Sequence, residues 1–381
     1  MKINKKAASI IASGFISLCF LVGCGEAVSV NTDNIMLDID VKPTIETSYQ
    51  EYSKKAIDAY FAVAEKYTDA DGDIEYDNEE VQAAAKDAAA KLFAYACYNE
   101  RRLDQYVYFS SQEGETDLGS TGSATAMKQE YFLRINEQEG VTCGYKYQYS
   151  IKKVIKSEGN IKIVQDQFES ARTRIVINTD RLYRLEGKNY KVGAKNELLD
   201  VQMLKADWET GSDWGVPDLP RLVKQDFIQP DDIITDIVGN AGDDNITMRA
   251  NINILADGIL SSAYIIKDVN EETGLLDGYI LFLSIDTDVA NADKASRKML
   301  AHANGTNDCS WDGEDGLAIV CRLWENGLFR TYSITERWKG KISGFSGTVD
   351  SSTVYYYSYT DRDCDMSGYL KMLEEADAKR G

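Results

Sequence analysis

Histidine is nearly missing from this sequence: of 381 residues only His302 is one. A Cys/His zinc centre therefore has no material to be built from, and a histidine-assisted nucleophile would rest on that one side chain. His302 closes an expected helix, where a partial positive charge is favoured on structural grounds alone. No Gly-x-Ser-x-Gly elbow occurs, since Gly344-Phe345-Ser346-Gly347 is one position short. Ser150 and Lys153 fit Ser-x-x-Lys, but on a strand they point to opposite faces. Phosphate-cradling glycine loops and dinucleotide fingerprints are also lacking. Basic charge is short as well, with 42 Lys and Arg against 62 Asp and Glu. That balance repels nucleic acid and anionic head groups, so neither is an expected partner. Proline is scarce, and three of the four fall between 217 and 230, where a domain boundary is expected. After the first two dozen residues no apolar run approaches membrane-spanning length.

What is present begins at the start of the chain. Lys2, Lys5 and Lys6 precede an apolar stretch from Ala7 to Phe20, followed by Leu21, Val22, Gly23 and Cys24. A basic start, a short apolar core and small residues before a cut describe a secretory signal peptide. With cysteine at the cut, it resembles the lipobox of bacterial lipoproteins. The resemblance covers residues 1–24. It implies cleavage after residue 23, a thioether-linked diacylglycerol on Cys24, and a protein held to the extracytoplasmic face of the cell membrane by that lipid. Removing 1–23 takes three lysines and no acid, so the net charge of −20 becomes about −23. Residues 24–45 read as a lipidated tether.

Two periodic segments follow. Tyr49, Tyr52, Ala56, Tyr60, Val63 and Tyr67 step by three or four residues, as do Val81, Ala85, Ala88, Leu92 and Tyr95. Each forms one apolar stripe, so the pair is expected as an antiparallel helical hairpin, with a mostly alanine stripe permitting close approach in the second helix. From Leu103 to Val192 the texture changes to alternation broken by Gly and Asn turns, as in Tyr145, Tyr147, Tyr149 and Ile151. These connections are too short for parallel crossovers. The 23 tyrosines suit strands with one packed and one wet face. Asn196–Trp208 is expected to be helical. After a short helix at Asp231–Val238 the second half repeats the pattern, with strands at Ile246–Leu255, Ile259–Val269, Leu275–Ile285, Leu317–Trp324, Phe329–Trp338, Ile342–Phe345 and Val354–Tyr359. Helices are expected at Asn291–His302 and Met366–Ala376, the latter capped by Asp365 or Ser367. The fold class is α+β: antiparallel meander sheets with an N-terminal helical hairpin and peripheral helices. One domain spans 46–208, a linker 209–220, and a second sheet domain 221–381.

The connection inside the hairpin, Asp69-Ala-Asp71-Gly-Asp73-Ile-Glu75-Tyr-Asp77-Asn-Glu-Glu80, places oxygen-bearing side chains at positions 1, 3, 5, 7, 9 and 12. It resembles an EF-hand calcium loop, which would make Asp69, Asp71, Asp73, Glu75, Asp77 and Glu80 a candidate metal set. It departs at position 6, where a glycine turns the chain and this sequence has Ile74, and at position 8, where Tyr76 stands. The alternative is a solvated acidic turn in which Asp77 caps the second helix and Glu80 closes a capping box. Asp361, Asp363 and Asp365 alternate before the last helix without a bidentate Glu, and a capping role is favoured. Besides Cys24 the mature chain holds Cys97, Cys143, Cys309, Cys321 and Cys364, an odd number, with a pair among the last three expected and Cys97 read as a small buried hydrophobe.

Three functional readings follow. One is a non-catalytic ligand-binding or envelope-binding module. Another is a carrier of a lipid or apolar ligand, because meandering strands with few helices resemble, in element order, the half-barrel lipoprotein carriers of the LolA and LppX kind. An exported hydrolase is a third reading, since with 62 acids a carboxylate pair is always available.

Overall fold

The computed structural model describes residues 37–118, 123–138, 141–158, 161–177, 181–192, 195–207, 224–233, 252–304, 308–314, 316–342 and 345–378. Between 141 and 207 it describes backbone, with side chains only at 150 and 152–155.

Helix α1, Gln50–Ala64, buries Ser53, Ile57, Tyr60 and Ala64, one residue per turn. Helix α2, Glu79–Arg102, starts one residue later than the capping-box reading expects. Asn78 is the cap: its backbone is extended and its Oδ1 accepts from the amides of Glu80 and Val81 at 3.0 and 3.4 Å. Glu80 is thus too early to close a box and instead accepts from the Tyr67 hydroxyl. The helices run antiparallel: the Tyr49 amide donates to Asn99 at 3.0 Å, and the Tyr49 and Tyr95 rings stack at 5.6 Å.

The strands are β1 Gln105–Asp117, β2 Ser123–Gln138, β3 Val141–Glu158, β4 Ile161–Ile177, β5 Arg181–Val192, β6 Lys195–Asp207, β7 Leu260–Val269, β8 Leu276–Ile285, β9 Cys309–Trp311, β10 Leu317–Trp324, β11 Phe329–Ile342 and β12 Phe345–Ser358. They form one 12-stranded sheet in the order β6-β5-β4-β3-β2-β1-β12-β11-β10-β8-β7, with β9 also paired to β11. Every neighbouring pair is antiparallel, so the chain is α+β with an antiparallel meander. Strands of both segments read as domains belong to this one sheet, because β1 pairs with β12 from Val107↔Ser358 to Asp117↔Thr348. Alternation marks each strand but not which edges meet. The expected linker at 209–220 lies outside the described residues.

Three further expectations change. Residues 196–207 are not helical; they lie within β6, which pairs with β5, since a short apolar run serves either period and the neighbouring strand decides, and Trp208 lies outside the described residues. Residues 252–259 hold turns rather than a strand, with Ile252 and Ile254 buried; 246–251 lie outside the described residues. The helix expected at 291–302 is two, α3 Thr287–Ala292 and α4 Lys294–Asn304. They split at Asp293, whose extended backbone breaks α3 and whose carboxylate accepts from the Ser296 amide and hydroxyl, both at 2.7 Å. Of the helix expected at 231–238 the structure describes only its start, a 3-10 turn at Pro230–Asp232 followed by Ile233 in helical conformation; 234–238 lie outside the described residues. Helix α5, Ser367–Ala378, follows Asp365, which accepts from the Ser367 amide at 2.9 Å as a cap should.

Helix α2 lies on the β7 side of the sheet and covers its edge. The Gln82 side-chain amide donates to the Ala263 carbonyl at 3.1 Å and accepts from the Ala263 amide at 3.2 Å, imitating the missing strand. It also donates to the Tyr76 carbonyl at 2.8 Å, and the Tyr76 ring sits 5.5 Å from Tyr264. The acidic connection is therefore laid against the sheet edge. Inside the sheet, Gly278 of β8 is a point of closest approach: a Cβ there would stand 1.8 Å from the Leu323 carbonyl oxygen of β10.

Replacing Gln82 by Ala strips both partners from Ala263 and should lower stability by about 1–3 kcal/mol, read as a shifted denaturation midpoint. An unshifted midpoint would show that the edge is covered without it. Gly278→Ala forces β8 and β10 apart and should cost about 3 kcal/mol, enough to move the thermal midpoint by several degrees.

Candidate functional site

The sheet face that carries α2 is divided. Rows across the strands read Cys321 beside Leu281 and Ile319 beside Leu283 on β10 and β8, all aliphatic or thiol and all buried. Continued across β11, β12 and β1 to β2, the same face turns polar. One row runs from Tyr332 through Tyr355 and Ser110 to Glu130; the next runs from Ile334 through Thr353 and Gln112 to Lys128. Glu336 stands opposite Ser351 one row further. Aromatic rings run through and beside these rows on the same face: Tyr108 is 5.2 Å from Phe132 and 5.5 Å from Tyr355, and Tyr332 is 5.2 Å from Tyr355.

These polar side chains are not at the solvent edge. Glu130 is 5% exposed, Ser110 6%, Thr353 7% and Glu336 9%. The Tyr108 hydroxyl donates to Glu130 Oε1 at 2.5 Å, and Lys128 Nζ stands 3.5 Å from Oε2. The Tyr332 hydroxyl is fully buried and has no hydrogen-bond partner among the described residues. Burial pushes its phenol well above the ordinary tyrosine range, and Tyr355 and Glu336 push it further. It stays protonated, a donor and never a base. Two carboxylates, several hydroxyls and these aromatic rings can hold a ligand that supplies hydrogen-bond donors.

The sequence-level candidates fall elsewhere. In the calcium-like loop, Asp69 Oδ1 accepts from the amides of Asp71 and Asp73, both at 3.0 Å. The positive φ, +82°, is at Gly72, the fourth position, and Ile74 bridges back to Thr68 and packs against the core. Among the described residues no three His, Cys, Asp or Glu side chains are placed to hold a metal ion. Cys24 lies outside the described residues. No bond joins any two of Cys309, Cys321 and Cys364, contrary to the expected pair: Cys321 lies mid-strand in β10, Cys309 in β9 beside Gly340 of β11, and Cys364 in the turn before α5. The Cys364 thiol is pushed up to about 12 by burial, with Asp363 and Asp361 adding to it. Ser150 and Lys153 occupy β3 three positions apart, hence on opposite faces.

The aspartates before α5 take separate tasks. Asp361 accepts from Gln105 at 2.8 Å, Asp365 caps α5, and Asp363 receives the Asp38 amide at 2.6 Å. That last bond belongs to a series that pins the start of the described chain to the body. Arg362 pairs with Asp38 at 2.8 Å, Arg330 with Asp40, and Lys42 with Glu325 at 2.9 Å, while Asn326 donates to the Ile45 carbonyl at 2.9 Å. The stretch from 37 to 45, expected as free tether, is thus docked, because its charges find opposite charges on two neighbouring turns. Burial alone would raise the Asp363 carboxyl; hydrogen bonds from Ser358, the Asp38 amide and Arg362 outweigh it and hold the group below its ordinary value.

No protein-family model matches the chain, and no curated protein does. Among solved structures it is similar to the translocator domain of the autotransporter NalP from Neisseria meningitidis, at 7% identity and a TM-score of 0.18, covering 67% of this chain and 88% of that one. A DUF1329 family protein from Desulfovibrio piger gives 11% identity and a TM-score of 0.16 over 74% and 98% of the two chains. A beta-barrel-like protein of domain DUF1849 from Brucella abortus gives 10% and 0.16 over 68% and 99%.

Since the folded Asp363 carboxyl is depressed, its contribution is complete above the unfolded carboxyl value of about 3.9 and is lost as pH falls through the lower folded value. Hydrogen exchange should show the Asp38 amide protected at about pH 5 and released as the carboxyl protonates. In Asp363→Ala it should exchange freely at both; equal protection in that variant would contradict the docking.

Proposed function

We propose that the chain is a non-catalytic, lipid-anchored module of the extracytoplasmic membrane face that binds a ligand or envelope component over the polar quarter of its sheet. Anchoring rests on the Leu21-Val22-Gly23-Cys24 motif. Among the described residues no helix is long and apolar enough to cross a membrane. Binding rests on one observation: Glu130, Glu336, Ser110, Thr353 and the Tyr332 hydroxyl are buried together on a face whose other half is aliphatic. Burying such groups costs free energy that an aliphatic face would avoid; Tyr108 and Lys128 meet Glu130, while the Tyr332 hydroxyl is a donor that a bound ligand would satisfy.

Carriage of a lipid asks for an open apolar hollow. The aliphatic half of the face carries α2 instead, with Ala85, Ala89, Phe93 and Ala96 fully buried. The polar half is therefore the stronger candidate.

The chain expressed from Met1 in a bacterial host should be recovered in membranes with an N-terminal peptide that begins at Cys24 and carries a diacylglycerol. A peptide beginning upstream, without lipid, would remove the anchor. Native mass spectrometry of that membrane protein should show a further non-covalent mass, lost in Glu130→Gln with Glu336→Gln. An acyl-chain mass retained by that double variant would favour the carrier instead, and anchored protein alone would count against binding at this face.

A further inference from the structure

On α2, Phe93 places its ring 5.7 Å from Phe329 and 5.6 Å from Tyr332. Tyr332 is the cross-strand partner of Cys321 on β10. Cys97 lies one turn beyond Phe93 on the same face of the helix, which brings it over that pair. Cys97 and Cys321 are 1% and 0% exposed, inside one continuous core. The buried side of the helix carries Ala85, Ala88, Ala89 and Ala96, small side chains that permit a closer approach to the sheet than leucines would. A disulfide needs that closeness, with Cα atoms within about 7 Å.

We propose that Cys97 and Cys321 are joined by a disulfide in the exported protein, stapling α2 to the middle of the sheet. No S–S bond joins them in the structure. The oxidising compartment rests on the lipoprotein reading above, while the choice of partners rests on the packing alone. Burial pushes the Cys321 thiol well above its ordinary range, with Cys97 adding to the effect. Thiolate is therefore suppressed once the core has closed, and the bond is laid down before α2 settles. One cysteine thiolate attacks the disulfide of an oxidant, such as a thiol–disulfide oxidoreductase, and expels one of its sulfurs. The second thiolate then attacks the mixed disulfide. The oxidant leaves as a dithiol, and the chain has lost two electrons and two protons.

The test uses the full mature chain, reduced and unfolded, then refolded in a glutathione redox buffer and alkylated. Cleavage at aspartate separates Cys309 from Cys321 at Asp312. The expected product is about 2 Da lighter than the reduced chain and yields one linked pair of peptides carrying Cys97 and Cys321. Cys97→Ala and Cys321→Ala abolish that pair, while Cys309→Ala and Cys364→Ala retain it. Reductant should lower the denaturation midpoint of the oxidised wild type and leave Cys97→Ala unmoved, which separates the bond from a packing effect. Full alkylation of both cysteines after oxidative refolding, or linkage of either to another cysteine, overturns the proposal. The same mapping on protein from membranes completes the test: a bond formed on refolding but missing from membrane protein that carries the lipid overturns the proposal as well.

Discussion

The pairing of β1 with β12 is the contact on which the rest of this structure depends. It joins the strands that follow the helical hairpin to those of the last quarter of the chain, over register positions from Val107↔Ser358 to Asp117↔Thr348. Only Leu103 and Asp104 separate α2 from β1, so the place of the helix on the sheet and the junction of the two halves are set together. Arg134 on β2 fixes the corner. Fully buried, its guanidinium donates to the carbonyls of Arg101 and Leu103 at the end of α2 and lies 5.1 Å from the centre of the Tyr106 ring. Burial lowers its pKa, with Tyr106, Glu100 and Asp104 opposing, yet a guanidinium keeps its charge, and the helix C-terminus is where a cation is favoured.

A consequence is the division of the helix-bearing face. Over β7, β8 and β10 the face is aliphatic because α2 rests there. Over β11, β12, β1 and β2 the same face carries Glu336, Thr353, Ser110 and Glu130 beside aromatic rings. Neither half alone makes this surface, since Glu130 and Ser110 come from one side of the junction and Thr353 and Glu336 from the other. The functional proposal is therefore tied to the fold: a protein with two separate sheets would have no such face.

Much of this was legible from periodicity alone. Strand β10 occupies the expected 317–324, and α2 buries the expected Val81, Ala85, Ala88, Leu92 and Tyr95. Single-strand patterns miss what depends on neighbours. Leu198, Leu199, Val201 and Leu204 fit a helical stripe, and pairing with β5 makes them strand. The Asp69–Glu80 spacing matches a calcium loop in its oxygens but not in its turn, which falls at Gly72 and leaves Ile74 to pack inward. Glu130 and Glu336 went unnoticed because alternation assigns polar residues to a wet face. The only sequence signal for them is position: Glu130 shares its parity with Phe132, and Glu336 with Tyr332 and Ile334, so each continues a buried series.

Amide hydrogen exchange across the β1–β12 junction tests the single-sheet account most directly. If the sheet is continuous, the amides of Val107–Asp117 and of 348–358 exchange as slowly as those of the interior strands β10 and β11, and open together with them. If either strand exchanges early, as an unpaired edge would, while its own half stays protected, the halves are separate and the account is wrong.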